Sequence, residues 1–331
     1  MWSKRVDSAI LNGRYEAAPQ LEIYDGLEPR VHPWVAMSAP RGVRTATVST
    51  DYQGFRRTPT SSGVVDCATP AADGVVLGGS FVFGVGAESD QDTVTAHLAH
   101  LTGRSWRNLG IRAGTSTHEL VAALPFLEGD GQVVVCSGAN NLIAGLQTNR
   151  PHDVYGPLFF EETLLKVGTR SMHDVAALIE GEARPGRNGA VRSVPEPEGP
   201  GGLTFDQRRT LALERQLRDL RSLVRLAGDP GQIVFCAQPF VDKSARSHVP
   251  EEQPLLGLHD RQLGQSWERI REYALAAWPR YTEELGNRCG ELGVRFVDMP
   301  ANRFRGWTFV DRLHCRGEGY RQAAELIVAA L

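Results

Sequence analysis

Short, continuously apolar runs that alternate with helical patterns constrain this chain more than any other feature. The runs are Gly74-Val75-Val76-Leu77-Gly78-Gly79, Gln132-Val133-Val134-Val135-Cys136, Gln232-Ile233-Val234-Phe235-Cys236 and Val294-Arg295-Phe296-Val297-Asp298, with a weaker one at Ser105-Trp106-Arg107-Asn108-Leu109. Runs with apolar residues at successive positions, rather than at every second one, read as candidates for strands buried on both faces. Between them lie helical spacings: Gln91 to Leu101, Phe205 to Ala227, Gly264 to Leu285 and Gly319 to Leu331. Parallel neighbours need a crossover connection and the favoured crossover is a helix, so the expected architecture is a mostly parallel sheet covered on both faces.

Residues 1–72 have a different texture, with turn formers and short β-branched stretches such as Val43 to Thr50, and they predict a β-rich N-terminal extension that packs on a main domain at 73–331. Residues 182–202, rich in Pro, Gly and charge, cannot bury apolar area and predict a mobile loop inserted within the main domain.

The charge balance, 36 Lys and Arg against 39 Asp and Glu, carries no polycation signature, so nucleic acid is not the expected partner. No apolar run approaches the ~18 residues of a spanning helix, and the opening Met1 to Asp7 meets an acid without an apolar core, so neither membrane insertion nor a secretory signal is expected. Cys67, Cys136, Cys236, Cys289 and Cys315 are odd in number and lack finger spacing; a reduced, cytoplasmic protein without structural zinc is the expectation. His97 and His100 stand three apart, but no His-Glu-x-x-His pattern accompanies them, and neither a metal nor another cofactor is expected.

Open parallel sheets collect reacting groups just beyond the carboxyl ends of their strands. Those positions hold Gly78-Gly79-Ser80, then Asn108-Leu109-Gly110 with Gly114 further on, then Ser137-Gly138-Ala139-Asn140-Asn141, and late in the chain Asp311-Arg312-Leu313-His314. Taken singly, each has a plain structural account: a helix cap at Ser80, a turn at Gly110, a loop bond at Asn140, an exposed pair at Asp311 and His314. Together they fit acyl transfer through a serine. Ser80 needs a base, which His314 supplies; Asp311 accepts the other ring N–H and stabilises the imidazolium. The Ser80 N–H, the Gly110 N–H and the Asn140 amide are the candidate donors to an oxyanion.

In this order the residues resemble the SGNH hydrolase (GDSL-type esterase/lipase) superfamily, with four blocks at Gly78-Gly79-Ser80, Asn108-Leu109-Gly110, Gly138-Ala139-Asn140 and Asp311 to His314. The resemblance implies a three-layer α/β/α sandwich with a flavodoxin-like five-stranded parallel sheet, Ser80 as nucleophile, Gly110 and Asn140 in the oxyanion hole, and Asp311 and His314 completing the triad. Two positions depart from the pattern: Gly79 replaces the acid before the serine, and Asn141 replaces the Asp after the block-three asparagine. The resulting expectation is a serine-dependent hydrolase of a small-molecule acyl ester or thioester, with an acyltransferase or a non-catalytic binding module as alternatives. Phe81 and Asn141 are the candidate substrate contacts, although core packing accounts for Phe81 equally well. The basic stretch Gly54 to Arg57 is expected to form an internal ion pair or a solvated turn before it binds a substrate anion.

Overall fold

The computed structural model describes residues 7–127, 131–148, 202–242 and 248–331, together with isolated positions between 158 and 175. The loop expected at 182–202 lies, up to residue 201, outside the described residues.

The N-terminal segment contributes two helices, α1 (Ser8–Ala17) and α2 (Gln20–Gly26), and two antiparallel hairpins, β1 (Arg30–His32) with β2 (Ala36–Ser38) and β3 (Thr58–Thr60) with β4 (Gly63–Val65). The helices were not legible in the sequence because each is short and buries only one or two side chains: Arg14 in α1, Leu21 and Tyr24 in α2. Then follow β5 (Gly74–Gly78), α3 (Ser80–Phe83), α4 (Val94–Thr102), β6 (Trp106–Gly110), α5 (Ser116–Ala123), β7 (Gln132–Ser137) and α6 (Ala139–Gln147). After the undescribed stretch come α7 (Phe205–Ala227), β8 (Ile233–Ala237), α8 (Glu252–Glu291), β9 (Arg295–Asp298) and α9 (Gly317–Val328). The long α8 is two helical segments joined at Gly264, where φ is +67°.

The five strands β5 to β9 form one parallel sheet in the order β6-β5-β7-β8-β9, the flavodoxin-like order. Side chains alternate across a strand, so odd and even positions build separate cores. Val75, Leu77, Val133, Val135, Ile233 and Phe235 face α5, α6, α7 and α8. Val76, Val134, Cys136, Val234 and Cys236 face α3, α4 and α9. The result is the expected three-layer α/β/α arrangement.

Because β6 and β7 flank β5, the chain reverses its direction of travel across the sheet beside the carboxyl end of β5. The connections after β5 and β7 therefore diverge there and leave a crevice, and Ser80 and Asn140 are the residues that open onto it. The N-terminal segment packs against the same end: Tyr24 donates to the Ala87 carbonyl at 2.9 Å, and Tyr24, Leu27, Ala39 and Val48 form a cluster with Phe83 and Val85.

Candidate active site

Ser80 opens α3 directly after the Gly78-Gly79 pair. A side chain at Gly79 would place its Cβ 2.5 Å from the Asn140 Nδ2, so glycine here lets the serine turn and the Asn140 amide approach each other. The far end of the four-residue α3 exposes carbonyls that its own short length cannot satisfy. Arg56, fully buried, donates through Nη1 to the carbonyls of Phe83 and Gly84, both at 3.0 Å, and through Nε to Asp90 at 2.8 Å. It also bonds the Tyr24 hydroxyl at 2.7 Å and the Thr47 carbonyl at 2.6 Å. The Gly-Phe-Arg stretch thus braces the serine helix through an internal ion pair, and Arg57 pairs with Asp66 at 3.2 Å.

The loop before α9 carries Asp311 and His314. Asp311 Oδ1 accepts the backbone N–H groups of Leu313 and His314 at 2.8 and 2.9 Å, which folds the loop around its own carboxylate. Its Oδ2 accepts the His314 Nδ1–H at 2.7 Å, and the Ser80 hydroxyl donates to His314 Nε2 at 2.6 Å. A continuous relay therefore joins residues 234 positions apart in sequence. Asp311 is buried, which by itself would raise its carboxyl, but His259, His314 and the bonds it accepts outweigh burial and hold it well below the usual carboxylate range.

Two groups outside the motif hold this loop. Glu252, wholly buried at the start of α8, accepts the N–H groups of Thr308 and Phe309 at 2.8 and 2.9 Å and pairs with His248 at 2.9 Å. Arg312 is gripped bidentately by Asp260 at 2.6 and 2.7 Å and donates to the Val241 carbonyl at 2.7 Å.

The expected donor at Gly110 requires correction. Its N–H donates to the side chain of Asn108 at 2.9 Å and is not directed at Ser80. Glycine is needed at 110 for packing, since a Cβ there would meet the Phe83 backbone nitrogen at 2.1 Å. Ala113 lines the same pocket as Ser80 at φ +61°, and its N–H has no partner among the described residues. Gly114, the next residue, donates to the Ile111 carbonyl and closes the turn. Asn140 lies in the pocket as expected; Nδ2 gives one hydrogen to the Gly114 carbonyl at 2.7 Å and retains a second. A left-handed alanine carries no signature in sequence, which is why Gly110 was the more visible choice.

Both expected substrate contacts are also corrected. Phe81 is completely buried, packs on Tyr320 at 5.1 Å between ring centroids, and lies in the core on the α3–α4–α9 face. In a helix, consecutive residues point some 100° apart, so the neighbour of an outward serine turns into the core. Asn141 is likewise buried and binds Ser116 twice, accepting its N–H at 2.9 Å and donating to its Oγ at 2.7 Å. Ser116 in turn donates to Asp219 at 2.7 Å. Asn141 thus joins α6 to α5 and α7, and its amide, unlike an ionised Asp, can serve the donor and acceptor sides of Ser116 together.

The pocket is lined around Ser80, Asn140 and His314 by Ile143, Leu158, Phe240, Leu263, Trp267 and Leu313, with His259, Gln147 and Arg312 as polar members. Ile143 comes from α6, Phe240 from the β8–α8 connection, Leu263 and Trp267 from α8 and Leu313 from the His314 loop, and none of these side chains was singled out in the sequence. Among the described residues no group of three or more His, Cys, Asp or Glu is placed to hold a metal ion, and no helix is long and apolar enough to cross a membrane. Cys136 and Cys236 are adjacent across β7 and β8 in the core. Burial first, then the Cys136 neighbour, pushes the Cys236 thiol well above its ordinary value, in keeping with a packing role.

The chain matches no family model and no curated protein. Among solved structures it is similar to an extracellular lipase from Streptomyces rimosus, at 13% identity over 79% of this chain and 100% of that one, with a TM-score of 0.41. It is also similar to a family two carbohydrate esterase from Clostridium thermocellum in complex with cellohexaose, at 12% identity over 89% and 78% of the two chains, with a TM-score of 0.38.

Proposed function

We propose that this chain is a serine-dependent acyl-ester hydrolase of the SGNH type, acting through a covalent acyl-Ser80 intermediate on a small molecule with an apolar acyl group. One observation carries the reading: the relay from the Ser80 hydroxyl through His314 to a buried, ionised Asp311, at 2.6 and 2.7 Å. A surface pair of the same residues would be worth little and would bring no serine into line.

In this reading His314 Nε2 takes the hydroxyl proton as Ser80 Oγ attacks the acyl carbon. Asp311 holds the ring in the Nδ1–H tautomer and stabilises the imidazolium. The Ser80 and Ala113 N–H groups and the second Asn140 Nδ2 hydrogen face the developing oxyanion. His314 then returns the proton to the leaving alcohol, and the same base activates water for deacylation. The acyl chain lies against Ile143, Leu158, Phe240 and Trp267. A role in tailoring a dedicated small molecule belongs to the same proposal, as does the view of residues 1–72 as an extension of one main domain, supported by the Arg56 bonds to α3.

The test is labelling by a fluorophosphonate probe. The wild type should label and Ser80→Ala should not, with a loss of esterase activity of at least about 1,000-fold. Equal labelling of both proteins overturns Ser80 as the nucleophile, and labelling of neither overturns the reading in favour of a binding module. Partitioning of one activated ester between water and added alcohols or amines then distinguishes hydrolysis from acyl transfer.

A further inference from the structure

A second imidazole stands on the other side of Asp311. His259, on the first segment of α8, is 7% exposed and lines the same pocket as Ser80, Asn140 and His314. Its Nε2 lies 3.9 Å from Asp311 Oδ2, the oxygen that already accepts the His314 Nδ1–H. The other carboxylate oxygen is occupied by two backbone N–H groups, so Oδ2 carries the capacity that remains. The His259 Nδ1 is buried with no hydrogen-bond partner.

The charged groups around the ring are Asp311, Asp260, His314 and Arg14, the last reaching it from α1 while paired with Asp25 at 2.7 Å. Burial is the largest influence and, with Arg14 and His314, outweighs the two carboxylates, pushing His259 down to about 4. At neutral pH the ring therefore carries a single proton. On Nδ1, that proton would be a buried donor without an acceptor, and the bare Nε2 lone pair would face a carboxylate. On Nε2 it points its positive end at Asp311.

We propose that His259 is a positioning residue of this site: its Nε2–H faces Asp311 Oδ2, competes with His314 for that oxygen, and so limits how strongly Asp311 stabilises the His314 imidazolium. The inference rests on the serine-hydrolase reading and deepens it. It also connects the N-terminal helix to the chemistry, since Arg14 is one of the groups that keep His259 from taking up a second proton.

The experiment follows the pH dependence of fluorophosphonate labelling and of kcat/KM on an activated ester for wild type, His259→Phe, His259→Asn and His259→Gln, between about pH 5 and 9. Without the competing donor, the acid limb of the Phe variant should move up by about half a pH unit. Asn, whose amide stops short of the Nε2 position, should follow Phe, and provides the same comparison if the Phe ring does not fit. Gln places an N–H near the lost Nε2–H and should return the limb to within about 0.2 unit of wild type. A labelled wild type whose acid limb does not move in the Phe or Asn variants overturns this inference alone, as does a Gln variant that follows them. Such a result would leave His259 as packing. A wild type that does not label removes the serine-hydrolase reading and this inference together.

Discussion

The serine side and the histidine side of the site are braced by opposite chemistry. Ser80 begins a four-residue helix whose far end presents unsatisfied carbonyls, and the brace is a buried cation: Arg56 takes two of those carbonyls from 27 and 28 residues upstream. Asp311 and His314 lie in a loop that presents N–H groups and a guanidinium, and the braces are buried carboxylates, Glu252 and Asp260, from 56 and 52 residues upstream. The motif therefore does not hold its own shape. Each catalytic loop exposes whichever backbone group its conformation leaves over, and a charge of the complementary sign, distant in sequence, is buried against it.

The largest effect should come from breaking the serine-side brace. Arg56→Ala leaves Asp90, the Tyr24 hydroxyl and three carbonyls without their donor, and should lower stability by about 4 kcal/mol, read as the shift in the urea midpoint. Fluorophosphonate labelling of the folded fraction should slow, since α3 loses its anchor. Unchanged labelling would show that α3 holds Ser80 without Arg56.

A third buried carboxyl, Glu119, stands against the end of β7 just before α6. Glu119 accepts the Ser137 hydroxyl at 2.8 Å, and burial, its dominant influence, pushes it up to about 8. The folded state thus retains a proton that the unfolded chain releases near the ordinary value, so stability falls as pH rises from about 4.5 to about 8. Glu119→Gln should remove that fall and be more stable than wild type by about 3 kcal/mol at pH 7, measured by denaturation across pH. A variant with the slope of the wild type would show that Glu119 is ionised in the folded protein.

The smallest effect, with the opposite sign, belongs to the histidine side. Burial alone would raise Asp260, but the bonds from Arg312 and Trp267 outweigh it and hold the carboxyl below its ordinary value. Its contribution is then fully present above about pH 4 and is lost as pH falls through the folded-state value. Asp260→Asn should cost about 2 kcal/mol near neutrality and flatten the acid side of the stability curve, again measured by denaturation across pH. Loss of stability without that flattening would mean that the pair acts through shape and not through charge.

The parts of the molecule differ in how legible they were. The three central strands β5, β7 and β8 were readable because burial on both faces demands successive apolar residues, and the outer β6 and β9, which carry Arg107, Asn108, Arg295 and Asp298, left a weaker trace. Ser80, Asn140, Asp311 and His314 were readable because few residue types can serve beyond a strand end as hydroxyl, amide, carboxylate and imidazole, and the structure brings those four together. Gly110 misled because glycine marks two needs alike, close packing and an exposed N–H, and here packing against Phe83 decides. Phe81 and Asn141 stand next to Ser80 and Asn140 in sequence but not in the pocket, because a helix turns each successive side chain to a different face.

Chain order and residue type alone determined the layered α/β/α sheet and the kinds of group that could meet at its carboxyl edge, because burial periodicity and side-chain chemistry are local properties. Only the tertiary structure decided which backbone N–H remains unpartnered, which aromatics line the pocket, and that Arg56, Glu252, Asp260 and His259 stand behind the reacting groups. Those choices depend on what a folded neighbour leaves unsatisfied, and a linear sequence carries no record of that.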